Sequence, residues 1–214
     1  MNKLPRCIKV FKSVLNAESR QILDIPENFR RAAVLIPIIE RENKWTLIFT
    51  RRTSNVSKHR GEISFPGGRF NKDLDKNLVD TALRETEEEI GIKHISVIGQ
   101  IDDISTISKY IVTPVIGYIV DNSEINHQTI NAFEIDYMLE VPLSRLTDSE
   151  IYSQKHVSHK SGSVLDVPFF DYDGEVIWGA TGRILVNFLT KINKLSSECR
   201  LNLMKRELWF ETES

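Results

Sequence analysis

Residues 67–92 read GGRFNKDLDKNLVDTALRETEEEIGI. A helix turns about 100° per residue, so Glu85, Glu88 and Glu89, at i, i+3 and i+4, share one face while Glu87 points away. Three carboxylates on one face repel one another unless a cation lies among them. Hard divalent cations such as Mg²⁺ take oxygen ligands and keep waters or substrate phosphates in their remaining positions. A charge run on a helix is ordinarily a solvated face. Here it is bracketed by a tight Phe65-Pro66-Gly67-Gly68 turn before it and by Gly91 after it, where a chain can turn left-handed and leave a helix. Asp75 or Asn77 supplies an N-cap. Leu78, Val79, Ala82 and Leu83 supply the apolar side, and Arg84 is placed to pair with a glutamate and hold it.

The segment resembles the signature of the Nudix hydrolases, a glycine, a loop, then Arg-Glu-aliphatic-x-Glu-Glu-x-Gly-aliphatic. Arg84, Glu85, Glu88, Glu89, Gly91 and Ile92 match it. Thr86 replaces the aliphatic residue, the loop from Gly68 to Arg84 is a couple of residues longer than usual, and no glutamate stands at positions 74–76. The resemblance implies a metal site of Glu85, Glu88 and Glu89 with the Gly68 carbonyl, filled by Mg²⁺ or Mn²⁺. It also implies a diphosphate substrate and a glutamate, Glu89 or Glu134, that takes the proton from water. Glu134 lies where Nudix proteins often bring a loop glutamate to the metals, as a ligand or as that base; an exposed loop carboxylate is the plain alternative.

Residues 50–68, TRRTSNVSKHRGEISFPGG, put Arg51, Arg52, Lys58, His59 and Arg60 within ten positions. Such a group suits an anionic, multiply phosphorylated ligand, and otherwise is a solvated basic loop. The stretch resembles the extra motif of the coenzyme A pyrophosphatases, a Nudix subgroup. Thr50, Arg52, His59, Gly61, Phe65, Pro66, Gly67 and Gly68 fit by position. Thr53 stands where Ser or Ala is usual, and Ser57 where an arginine is usual. The resemblance implies coenzyme A as substrate, contacted by Arg51, Arg52, His59, Arg60 and Gly67. The rival readings are another Nudix substrate (NADH, ADP-ribose or an oxidised nucleoside triphosphate), a nucleotide-sensing Nudix domain without catalysis, and a structural protein. The three intact helix glutamates argue against the sensor.

The whole chain bounds these readings. It has 214 residues, is 41% apolar and carries a formal net charge of −2. A packed core is expected, and no general pull toward nucleic acid. Cys7 and Cys199 could pair only if the termini meet, so thiols in a reducing cytosol are expected. The longest proline-free apolar run is Ala32 to Ile36, far short of the ~20 residues that span a bilayer. Lys3, Arg6, Lys9 and Lys12, with Leu4, Ile8, Phe11 and Leu15, make a basic amphipathic start. A helix capping the core is favoured over a transit peptide or a membrane-surface helix. A homodimer is left open.

Periodicity predicts a helix over 6–23, ended by Pro26, and a doubly buried strand over 30–39 with Pro37 marking an irregular point or an edge. A hairpin to a strand over 45–51 follows. Strands are predicted within 94–104, over 110–120 with Pro114 at an edge or bulge, and over 138–142. A loop at 102–106, a hairpin over 152–178 and a final helix over 181–194 complete the reading. The class is α/β, more strictly α+β; the resemblance implies a Nudix-type α/β/α sandwich around a mixed sheet. The organisation expected is a helical extension at 1–28, a Nudix domain at 29–196 and a tail at 197–214.

Overall fold

The computed structural model describes residues 4–41, 44–54, 61–121, 123, 125, 129–158, 164–197, 199 and 200. Helix α1 (Arg6–Ala17) leads into the hairpin of β1 (Arg30–Arg41) and β2 (Lys44–Arg52). Two short strands, β3 (Ile63–Ser64) and β4 (Gly67–Arg69), precede helix α2 (Leu78–Ile90). Then come β5 (Ile95–Gln100), β6 (Ile104–Ser105), β7 (Tyr110–Ile119), β8 (Ile135–Pro142) and the single turn α3 (Leu143–Leu146). The chain ends in β9 (Tyr152–Ser158), β10 (Val164–Tyr172), β11 (Glu175–Ile177) and α4 (Gly179–Asn193).

The large sheet runs β3-β2-β1-β7-β5, with β4 beside β1, β6 beside β7 and β8 beside β2. It is mixed: β1 and β7 pair in parallel and the other ladders are antiparallel. Alternation assigns the two faces. Ile36, Ile38, Leu47, Phe49, Ile116 and Tyr118 face the core shared with α1 and α4. Leu35 and Val115 pack instead with Ala82 of α2, and Ile39, Ile48 and Ile119 with Ile90 at its end. Helices therefore cover both faces, which makes an α/β/α sandwich. A second sheet, β11-β10-β9, lies against α4.

Both expected prolines sit at irregular points inside central strands, not at edges. Pro37 falls between the rungs β1 shares with β4 (Ala32 to Val34) and those it shares with β2 (Ile38 to Arg41). Leu35 N–H reaches Pro66 O on that side at 2.8 Å, so the missing N–H of Pro37 falls where no rung is formed. Pro114 likewise lies between the β5 and β6 pairings of β7. A strand that changes partner leaves one position where a donor is not needed, and proline fits there.

The first helix is shorter than its periodicity predicts, ending at Ala17 with Glu18 extended. Long-range partners take the next segment. Gln21 N–H donates to Asp102 at 2.8 Å and Leu23 N–H to Asp103 at 3.0 Å, while Asp103 N–H returns to Gln21 O. Asp103 is buried and also pairs with Arg20 and Arg31. Ile22, assigned by sequence to the apolar stripe, is 62% exposed. Cys7 and Cys199 both lie in the main core as thiols. Among the described residues no helix is long and apolar enough to cross a membrane.

Candidate active site

Helix α2 is fixed at both ends. Asn77 caps it, its side-chain oxygen accepting from Val79 N–H and Asp80 N–H; Asp75, the alternative, has another task. Gly91 adopts φ 75° and donates its N–H to Glu87 O. The unexpected Thr86 is buried and satisfies its hydroxyl on Ala82 O at 2.6 Å, leaving its methyl to pack in place of an aliphatic side chain.

Arg84 ties the helix to the loop before it. Its Nε donates to Asp75 at 2.8 Å, its Nη2 pairs with Glu85 at 2.7 Å, and its Nη1 with Glu88 at 3.0 Å. The Asp75 side chain is 1% exposed. The Arg84 guanidinium, Asn71 N–H and the Thr81 hydroxyl hold its carboxyl down to about 2. These same carboxylates raise Arg84 above its ordinary value. Asp75 is thus a site residue that sequence reasoning left as a capping candidate; its nine-residue separation from Arg84 only becomes contact once the loop folds back.

Glu85 lies directly on the Gly68 backbone: a β-carbon at 68 would stand 2.3 Å from its carboxyl carbon. Burial raises its pKa, with Arg84 opposing. Glu89 is buried beneath Gly67, whose N–H donates to it at 3.2 Å. Desolvation pushes its carboxyl up to about 8, against the pull of Arg52 and the Gly67 N–H. Glu88 is the outermost of the three, 55% exposed and paired with Arg84.

Arg52 bridges two acids, with Nη1 3.7 Å from Glu89 and Nη2 3.6 Å from Glu134. Glu134 thereby joins the helix glutamates from the loop before β8, and its backbone accepts Thr53 N–H at 2.9 Å. Arg51 goes elsewhere. It pairs with Glu175 at 2.8 Å and donates to the Tyr137 hydroxyl at 2.9 Å, tying β2 to β8 and β11. Neighbours on a strand face opposite ways, so the two arginines expected in one anion clamp are parted. His59 and Arg60 lie outside the described residues.

Arg52, Phe65, Gly67, Gly68 and Glu134 line one end of a cavity of about 1130 Å³. β10 and the start of α4 also line it. Among the described residues no three acidic, His or Cys side chains converge as a ready metal cage; Glu88 pairs with Arg84 and Glu89 lies near Arg52. The donor set still fits a hard divalent cation. Burial raises both Glu85 and Glu89, and neighbouring carboxylates add to it, Glu88 and Asp75 at Glu85 and Glu85 and Glu134 at Glu89: these are crowded oxygen donors of the kind a hard cation takes. Gly68 leaves the backbone bare beside Glu85, where its carbonyl could join the ligands.

A family model described as the NUDIX domain matches residues 29–136. Over 163 residues the chain is 37% identical to a protein of Photorhabdus laumondii named "Uncharacterized Nudix hydrolase NudL", covering 75% of this chain and 84% of that one. The protein of the same name in Yersinia enterocolitica is 33% identical over 190 residues, 88% of this chain and 94% of its own. In three dimensions, a MutT/nudix family protein from Enterococcus faecalis superimposes with a TM-score of 0.52 at 13% identity, over 94% of this chain and 80% of that one. At that identity the likeness concerns the fold alone.

Proposed function

This chain belongs to the Nudix family and is a hydrolase acting on pyrophosphate bonds, and on that premise we propose that it cleaves coenzyme A or an acyl-coenzyme A. The products are 3′,5′-ADP and 4′-phosphopantetheine or its acyl form. The observation that carries this reading is the position of Arg52, a residue of the coenzyme A-type motif, between Glu89 and Glu134 at the cavity wall. A guanidinium there can take a phosphate oxygen of a diphosphate whose other oxygens face the glutamate helix.

Nudix hydrolases use divalent ions such as Mg²⁺ or Mn²⁺; Glu85, Glu88, Glu89 and the Gly68 carbonyl would hold them, and they would offset the charge of the two phosphates and acidify water for in-line attack. The chain's own residues do the rest. Arg84, anchored on Asp75, fixes the direction of Glu85 and Glu88. Glu89 or Glu134 accepts the proton of the attacking water. Glu89 is the more buried of the two; Glu134 is more open and approaches from the loop. Arg52 touches both and so bears on either assignment.

The partner is a small nucleotide, not nucleic acid, and the cytoplasm is the proposed location, in keeping with the two core thiols. Ser57, in place of an arginine, is the one feature favouring a different nucleoside diphosphate derivative. The test is a product assay: protein with Mg²⁺ is offered coenzyme A, NADH, ADP-ribose and 8-oxo-dGTP, and products are weighed by mass. Appearance of 3′,5′-ADP faster than cleavage of the others upholds the reading. Survival of coenzyme A while another diphosphate is cut refutes it.

A further inference from the structure

The family model ends at residue 136, yet part of the lining of the large cavity comes from beyond it: Leu165 and Val167 on β10, then Trp178, Thr181 and Arg183 at the start of α4. Trp178 is the one aromatic residue that this stretch of the chain gives to the cavity lining. Its ring lies parallel to that of Phe169, with centroids 5.6 Å apart and planes 12° apart. It is nonetheless 40% exposed. One side of the ring is thus backed by Phe169 while the residue keeps exposed surface on a cavity wall. Five residues further on, Arg183 is pinned by an Nη1–H bond to Ser105 O at 2.9 Å, and it lines the same cavity.

We propose that Trp178 is the stacking platform for the base of the nucleotide substrate, and that Arg183 beside it takes the phosphate carried on that nucleoside. The inference rests on the nucleotide-diphosphate reading above and adds the end of the cavity at which the nucleoside lies. The alternative occupant, the pantetheine arm, is a flexible aliphatic amide chain. It gains little from a flat, rigid, ring-backed surface, whereas every base has a π-face that stacks on one. Arg183 adds what an aliphatic arm does not need: a planar fork with donors to spare after the Ser105 bond. Ser105 at the end of β6, with Thr106 and Ser108 just after it, brings further hydroxyls to the same space. The core Nudix segment would thus hold the diphosphate, and the C-terminal segment would choose what is attached to it.

Calorimetric titration of the full chain with 3′,5′-ADP and, separately, with 4′-phosphopantetheine tests this without turnover. Trp178→Ala and Trp178→Leu are compared with Trp178→Phe, leucine keeping apolar bulk without a π-face. Loss of a stacked base costs roughly ten-fold or more in affinity. The expected result is that loss for 3′,5′-ADP in the Ala and Leu variants, recovery in the Phe variant, and 4′-phosphopantetheine binding unchanged. Loss confined to 4′-phosphopantetheine, equal loss for both products, or no loss for 3′,5′-ADP overturns the proposal. If the wild-type chain binds neither product but does bind ADP-ribose or NADH, the coenzyme A reading fails on its own. The same three variants titrated with that nucleotide then decide the platform, a retained Ala and Leu loss upholding it and unchanged affinity overturning it.

Discussion

The backbone of Gly68 and the carboxyl of Glu85 lie in such close contact that a β-carbon at 68 would stand 2.3 Å from the carboxyl carbon. Gly68→Ala must therefore push Glu85 away, although Gly68 itself has no unusual backbone angle. Misplacing a catalytic group by about 1 Å can cost on the order of 100-fold in rate. The expected outcome is a loss of that order in kcat with weakened Mg²⁺ binding by calorimetry and a small change in the urea midpoint. Full activity in the alanine variant would separate Glu85 from the chemistry.

Glu88 is the most exposed of the helix acids, so Glu88→Gln should leave the fold intact. If it is a metal ligand, several kcal/mol of transition-state stabilisation go with it, roughly a hundred-fold or more in kcat. Unchanged turnover beside an unchanged circular-dichroism spectrum would sink the metal-site assignment.

Arg51 and Arg52 are adjacent in sequence and should fail differently. Arg52→Ala should raise KM for a diphosphate substrate about ten-fold or more, since a charge-assisted contact is lost. Arg51→Ala removes the Glu175 pair and the Tyr137 bond, both partly exposed, and should cost about 1 kcal/mol of stability with KM unchanged. Steady-state kinetics and denaturant melts on both variants check the split.

Asp75 carries a pH signature. Its folded value of about 2 lies below its ordinary 3.8, so the charged form is favoured by folding. That contribution is fully present above about pH 4 and is lost as pH falls toward 2, on the order of 2 kcal/mol in all. Asp75→Asn should destabilise the protein at pH 6 and flatten this acid limb. Denaturant melts at pH 6, 4 and 3 read both effects, and parallel curves for the two proteins would contradict the assignment.

Gly91 adopts a left-handed φ of 75°, and a β-carbon there would lie 2.7 Å from the Thr129 hydroxyl. Gly91→Ala should cost about 1–2 kcal/mol or more, seen as a lowered melting temperature.

The α2 segment shows how much a sequence can say. The Glu85, Glu88 and Glu89 face, the Asn77 cap and the Gly91 stop are local: each depends on residues within a turn or two, where 3.6-residue geometry fixes what meets what. The burial of β1 on both faces is legible in its unbroken apolar run. Partnership across long separations is not. Asp103 read as a loop acid, yet it gathers Arg20 and Arg31 and ends α1 six residues early. Arg51 and Arg52 read as one clamp, yet the strand turns them to different partners. Glu134 was placed near the glutamates only by resemblance, and its bridge through Arg52 exists because β8 pairs with β2. Trp178 read only as the opening of the final helix, in a stretch, WGATGRIL, that looks family-like, and not as a site residue. Spacing along the chain settled the helix, its caps and its acidic face. Which charges meet, which aromatic stays open and what closes the cavity depended on sheet pairing, which brings together residues that no local period connects.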